Sequence, residues 1–301
     1  MSRADPAGPR HVTVVGDLGV DIRVGMTGAI VPGQDIRARI SSGPGGAGAN
    51  TSAWLSRLGV PVSLIARIGA DPAGAAAAAE LAAAGVDCRL AIDPELPTCC
   101  VIVVIHPDGE RTMLSDRGAN ARLSPGDLDL PDRPGRGHLH LSGYPLFDTD
   151  SRAAALAAIR AAGARGWTVS VDPQSSTHLR DVGPAVFLEW IRGADLLLPN
   201  ADELEALGGP TAVLEVVPAI AVTEGVRGAR WYGSGGSASV EPPEVHRTDS
   251  TGAGDAFNAG VLAAWLSGAD PRAALVAGVA MGTAAAGAPG GRPDRPGTVG
   301  T

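Results

Sequence analysis

The chain has 301 residues, enough for one large α/β domain or one domain with a small appendage. It is 45% hydrophobic, 19% charged and 3% aromatic, with a formal net charge of −8, and all 24 of its basic residues are arginine. No basic patch of the kind a nucleic-acid binder carries is visible, and the absence of lysine excludes a P-loop lysine, a Schiff-base lysine and the strand lysine of protein kinases. The three cysteines, Cys88, Cys99 and Cys100, are odd in number and show no repeated spacing. They read as small buried residues in a reducing compartment, not a disulfide framework. Met1–Arg10 lacks the apolar run of a signal peptide, and no uninterrupted apolar stretch of about 18 residues suggests a membrane span. The expectation is a soluble, cytoplasmic protein with no nucleic-acid or membrane partner.

Along the chain, His11–Val15 predicts a buried strand, Ala47–Leu58 a helix and Val62–Ala66 a strand. Asp71 and Pro72 predict the start of a helix that Gly85 stops. Cys99–Ile105 and Arg111–Leu114 flank His106-Pro-Asp-Gly109, a hairpin signal. Short strands are predicted at His138–Leu141, Thr168–Val171, Asp195–Leu198 and Ala219–Val222, with helices at Ser151–Ala162, Pro184–Arg192 and Ala201–Leu207. Trp231–Tyr232 and Ser237–Val240 read as a late antiparallel hairpin. Helices Ala253–Leu266 and Pro271–Ala286 close the chain before a Gly/Pro-rich tail that reads as partly disordered. The βαβα order predicts a three-layer, Rossmann-like α/β fold, with a mostly parallel central sheet between helices. Polar-alternating pieces between about 22 and 43, with the hairpin at about 98–114, predict a small β-sheet lid on a single domain spanning 1–301.

The most informative stretch is Asp249-Ser-Thr-Gly-Ala-Gly-Asp-Ala-Phe-Asn-Ala-Gly260. Gly252, Ala253 and Gly254 form a small-residue turn that leads straight into an apolar helix. Such a turn presents free N–H groups and the positive end of the helix dipole to an anion. Asp255 falls in the first helical turn, where a carboxylate is either a general base or an ordinary acidic cap. Asn200 and Glu203, at i and i+3, share a helix face and suit a hydrated Mg²⁺, or else simply open a solvated helix. Thr223, Gly225 and Gly228 mark a turn after a strand. Gly45, Gly46 and Asn50 combine close backbone approach with an amide that both donates and accepts.

Together these motifs resemble the ribokinase-like, or PfkB, carbohydrate kinase family. Gly45-Gly-Ala-Gly-Ala-Asn50-Thr-Ser, followed by Gly59 and Gly69, resembles its N-terminal signature, and the stretch around Asp255 resembles its C-terminal one. Asn200-Ala-Asp-Glu203 and Thr223-Glu-Gly-Val-Arg-Gly228 match its intermediate motifs, and the resemblance runs from Val12 to about Ala286. It implies an ATP-dependent kinase transferring the γ-phosphoryl group to a hydroxyl of a small sugar-like acceptor. In that reading Asp255 is the base, and Gly252, Ala253 and Gly254 form the anion hole. Asp21, Gly45, Gly46 and Asn50 hold the acceptor. Asn200 and Glu203 organise Mg²⁺ through water, and Thr223, Gly225 and Gly228 lie along the nucleotide. Asp249 and Thr251 match the positions that hold a monovalent cation such as K⁺ in relatives. A homodimer through the lid is also implied.

Three features depart from the family pattern. Leu141-Ser-Gly-Tyr-Pro145 lacks the glutamate that contacts ribose in ribokinases; Gly208–Pro218 is short for a helical crossover; and no strand signal follows Gly287. Arg117 reads either as a contact to an acidic acceptor or as a loop arginine paired with Asp116. Asp17 competes with Asp21 for the acceptor, or caps a strand end. His138 and His140 alternate on one strand face, as metal ligands or as partly buried strand residues. An adenosine-type nucleoside kinase, a phosphosugar kinase and a catalytically inactive sugar sensor are the rival readings. A nicotinamide dehydrogenase is disfavoured because no Gly-x-Gly-x-x-Gly follows the first strand.

Overall fold

The computed structural model describes residues 10–106, 111–132, 137–243, 251–287 and 290–293. Among them are thirteen strands: β1 (His11–Val15), β2 (Gly19–Gly25), β3 (Arg39–Gly45), β4 (Val62–Gly69), β5 (Asp87–Asp93), β6 (Cys99–Ile105), β7 (Arg111–Asp116), β8 (Gly137–Ser142), β9 (Thr168–Asp172), β10 (Leu196–Leu197), β11 (Ala219–Thr223), β12 (Ala229–Gly233) and β13 (Ala238–Val240). Nine form one sheet in the order β13-β12-β11-β10-β9-β8-β1-β4-β5, and four form a second in the order β3-β2-β6-β7. The large sheet is parallel from β11 to β5, and the β12–β13 hairpin adds an antiparallel edge.

β1 lies inside the sheet, third from its β5 edge, with Val14 aligned to Leu64 on one side and His140 on the other. Its five residues are all buried, as a strand covered on both faces requires, which is why it reads as an uninterrupted apolar run. One face packs against helices Ala47–Arg57, Ala253–Leu266 and Pro271–Ala286. The other packs against Arg152–Ala164, Pro184–Trp190 and the short helices after β10. Each fully buried Val or Leu contributes about 1.5–3 kcal/mol by leaving water. The two C-terminal helices touch closely at Gly260, where a Cβ would come within 2.5 Å of the Ala277 carbonyl oxygen.

The layered α/β fold and the separate small sheet are as expected, and several details differ. β2 begins at Gly19, so Asp21 belongs to the lid sheet and not to the loop before it. β5 carries Asp87, Arg89 and Asp93 among its apolar residues and is an edge strand, so no clean periodicity announces it. The crossover at 208–218 does contain a helix, Gly209–Leu214, with proline in its first turn, and β11 follows in parallel register. With the helix Ala201–Ala206 before it, this helix completes the crossover from β10 to β11. His138 and His140 are wholly buried, not partly. They share the Ser170 hydroxyl, at 2.8 and 2.9 Å, and burial pushes His140 down to about 3. The two neutral rings are structural members of the sheet. The turn residues 107–110 and Asp249 lie outside the described residues.

Candidate active site

The predicted site residues gather at the carboxyl ends of the parallel strands, beneath the small sheet, where open α/β sheets place their ligands. Gly252 caps the helix Ala253–Leu266 in a left-handed conformation, with φ 73° and ψ 2°. The N–H groups of Ala253, Gly254 and Asp255 open that helix and have no intrahelical acceptor. They sit at the boundary of two pockets that share Gly252 and Asp255.

Asp255 is buried, and its Oδ2 accepts from Asn50 Nδ2 at 2.9 Å. Burial raises its carboxyl to about 7; the Asn50 hydrogen bond pulls the other way, and the nearby Asp21 and Asp17 push it further up. A base poised there is half ionised near neutral pH, which suits proton abstraction from a hydroxyl. Asp21 on β2 and Asn50 on the helix Ala47–Arg57 line the same pocket. Gly45 permits this: a Cβ there would fall on Asp21, within 2.7 Å of its carboxyl carbon. Gly46 lines the pocket beside Asn50.

Asp17 lines the same pocket as Asp21, so it stays beside the acceptor space, and it is also tied up by an arginine. It is buried and accepts from Arg117 Nη2 at 3.0 Å as well as from Nη1. Arg117 in turn reaches Asp148 at 3.0 Å and lies 4.9 Å from the Tyr144 ring centroid. Its expected partner Asp116 instead accepts from the Gly118 backbone N–H. The reason is topological: β6 and β7 carry Arg117 back over the end of β1. Arg117 and Arg111 both line the acceptor pocket, Arg111 donating to the Thr251 hydroxyl at 3.3 Å. Arg37 is exposed, as is Arg39 at the start of β3.

The second pocket holds Asp172, Asn200, Glu203 and Asn258. Asn200 and Glu203 form a reciprocal capping box, each side chain bonded to the other's backbone N–H at 2.9 Å. Glu203 is buried, not solvated, and burial raises its carboxyl to about 7. Asp172 is pushed well up by burial, then by repulsion from Glu203 and Asp255. Its carboxylate is held by Asn258 at 2.6 Å and Gln174 at 2.7 Å. Gln174 adopts φ 70° and lines both pockets. Among the described residues lining this pocket there is no basic side chain, and the all-oxygen donors fit a hydrated Mg²⁺ shared with phosphates. Among the described residues, no three His, Cys, Asp or Glu side chains are grouped so as to hold a metal by themselves.

A third, mostly apolar cleft is lined by Thr223, Gly225 and Gly228 on one side and by Phe257, Val279 and Thr283 on the other. It adjoins the Gly252 turn through Ala253 and Gly254.

Three contributors escaped the sequence reading. Asp172 and Gln174 belong to no recognised motif, and the only available signal was their place just past a parallel strand. Arg292, in the tail, donates to Asn50 Oδ1 at 3.2 Å and to the Gly45 carbonyl at 2.9 Å. Nothing in the sequence marks it.

Residues 11–297 match the model of the pfkB family carbohydrate kinases. The chain is 34% identical over 264 residues to an ATP-dependent ribose-1-phosphate kinase of Halopiger xanaduensis, covering 85% of this chain and 84% of that one. It is 31% identical over 272 residues to a fructokinase of Klebsiella pneumoniae, covering 84% and 83%. It superposes with a TM-score of 0.81 and 27% identity on a putative ribokinase II from E. coli in complex with ATP and Mg²⁺, covering 94% of each chain. The chain belongs to the pfkB family of carbohydrate kinases, and it is an ATP-dependent carbohydrate kinase.

Proposed function

We propose that this kinase phosphorylates a hydroxyl of a small sugar, with Asp255 as the base. The observation that carries the reading is the position of Asp255. It is a buried carboxylate beside orphan helix N–H groups, oriented by Asn50, at the junction of the two polar pockets. Asp255 accepts the proton of the acceptor hydroxyl as its oxygen bonds to the γ-phosphorus, and the bond to the ADP oxygen breaks. The N–H groups at Gly252, Ala253 and Gly254 take up charge on the transferring group. Asp21, Asn50 and the Gly45–Gly46 backbone grip the sugar. Asn200 and Glu203, with Asp172, hold Mg²⁺ through water; when bound, that ion neutralises phosphate charge. Thr223, Gly225 and Gly228 lie along the nucleotide.

A phosphorylated sugar is the second reading. Arg111 and Arg117 both line the acceptor pocket, and the Halopiger relative bears the name of a ribose-1-phosphate kinase. Among the described residues lining that pocket, Tyr144 is the single aromatic side chain, which favours a sugar over a nucleoside base.

Thr251, with Asp249, remains the place for a monovalent cation, and the Gly291 backbone packs against the adjacent Gly252. A homodimer through the lid is supported by exposed Ile40, Met113 and Leu114 on its edge strands β3 and β7. A cytoplasmic location fits the supply of ATP and three free cysteines. No helix of the described residues is long and apolar enough to cross a membrane.

The test is ADP release from ATP and Mg²⁺ with ribose, fructose, ribose 1-phosphate and adenosine as acceptors. Turnover on a sugar or sugar phosphate is expected, and Asp255→Asn should abolish it while leaving ATP binding intact. Retained turnover in that variant overturns the role of Asp255, and no turnover on any acceptor points to a sensor.

A further inference from the structure

The acceptor side of the site is closed from behind by residues 290–293, beyond the last helix. Trp54 Nε1 anchors this segment by donating to the Gly291 carbonyl at 3.0 Å. Gly291 packs against Gly252, so closely that a Cβ on Gly252 would lie 2.3 Å from the Gly291 Cα. It packs equally closely on Asn50, where a Cβ on Gly291 would lie 2.6 Å from Nδ2. The same four residues therefore brace both the anion-hole turn and the amide that holds Asp255.

Arg292 is the charged member of this brace. Its side chain is 6% exposed, and Glu80, at 3.4 Å, is its ion-pair partner. Burying a guanidinium is costly, and an apolar residue would fill the space without that cost. What an apolar residue could not do is donate. Nε donates to Asn50 Oδ1 at 3.2 Å, and Nη2 to the Gly45 carbonyl at 2.9 Å. The opposite end of the same amide donates from Nδ2 to Asp255 Oδ2 at 2.9 Å. A guanidinium can only donate and a carboxylate can only accept. One orientation of the Asn50 amide satisfies both neighbours. The flipped one sets N–H against N–H and oxygen against oxygen.

We infer that Arg292 is a positioning residue for phosphoryl transfer, setting the orientation of the Asn50 amide and, through it, of the Asp255 carboxylate. This rests on Asp255 being the base. The planar fork is the point. One edge of the guanidinium, through Nε and Nη2, spans Asn50 Oδ1 and the Gly45 carbonyl together, which the single ammonium of lysine does not reproduce.

The experiment compares Arg292→Lys, Arg292→Gln, Arg292→Ala, Asn50→Ala, the Arg292→Lys/Asn50→Ala double variant and Asp255→Asn. It follows kcat, KM for each substrate and the pH dependence of kcat/KM, with rates normalised to the folded fraction measured by ATP-dependent thermal shift. Arg292→Lys keeps the charge, so its expected effect is geometric. The expected kcat loss is about 10- to 100-fold. The KM for ATP should stay within about twofold, and the acid limb should move to higher pH. In the Asn50→Ala background the lysine substitution should add less than about twofold, because the two residues act in series. Arg292→Gln, which retains an N–H donor, should recover part of what Arg292→Ala loses. The inference is overturned if Arg292→Lys leaves kcat and the acid limb unchanged, or if its effect multiplies fully with that of Asn50→Ala. Turnover in Asp255→Asn would instead remove the base on which the inference rests, a separate result.

Discussion

Replacing Gly252 by alanine tests the anion hole directly. Gly252 has φ 73°, a conformation that costs an L-residue roughly 1–2 kcal/mol. The new Cβ would also lie 2.3 Å from the Gly291 Cα, 2.5 Å from its carbonyl oxygen and 2.8 Å from its carbonyl carbon. Carbon atoms ordinarily rest about 3.5–4.0 Å apart, and all three neighbours are backbone, so the turn or the tail must move by about 1 Å. Loss of a single oxyanion donor elsewhere costs about 10²–10³ in kcat. The expected result is a kcat about 100-fold lower. The KM for ATP should change only a few-fold, because Thr223, Phe257 and Val279 are untouched. Steady-state ADP release, with a thermal melt to confirm folding, measures this. A kcat within about threefold of the parent enzyme would show that the Gly252 turn does not bear charge in the transition state.

Two further outcomes follow from the same geometry. Burial raises the Asp255 carboxyl to about 7, so kcat/KM should climb through an acid limb near pH 7 as the base ionises. Because the folded value lies above the unfolded one, the stability tied to its protonation is present below about pH 4 and lost as pH rises through about 7. Thermal melts of the ligand-free enzyme should fall across that window, and Asp255→Asn should flatten the trend; an unchanged slope would contradict the assignment. Asp21→Ala should raise the acceptor KM about 10-fold or more, as expected for a lost charged hydrogen bond worth about 1.5–3 kcal/mol, with little change in KM for ATP. An unchanged acceptor KM would remove Asp21 from the sugar site.

What the sequence determined by itself was the local chemistry. The apolar run His11–Val15, the helix of small residues after Gly252 and the cap at Asp71 each follow from propensity, patterning or turn stereochemistry acting over a few residues. They appear in the structure at the expected positions. Asn200 and Glu203 likewise open a helix directly after β10, where they form a capping box. Only the tertiary structure decided which distant groups meet. Arg117 pairs with Asp17 and not with Asp116 because the lid strands return it over β1, a hundred residues away in the chain. Asp172 and Gln174 enter the site because β9 ends beside β10. Arg292 reaches Asn50 because helix Pro271–Ala286 delivers the tail to the back of the acceptor pocket. Burial then sets the proton affinity of Asp255, Glu203 and Asp172. Desolvation belongs to the whole packed molecule, and no stretch of sequence carries it alone.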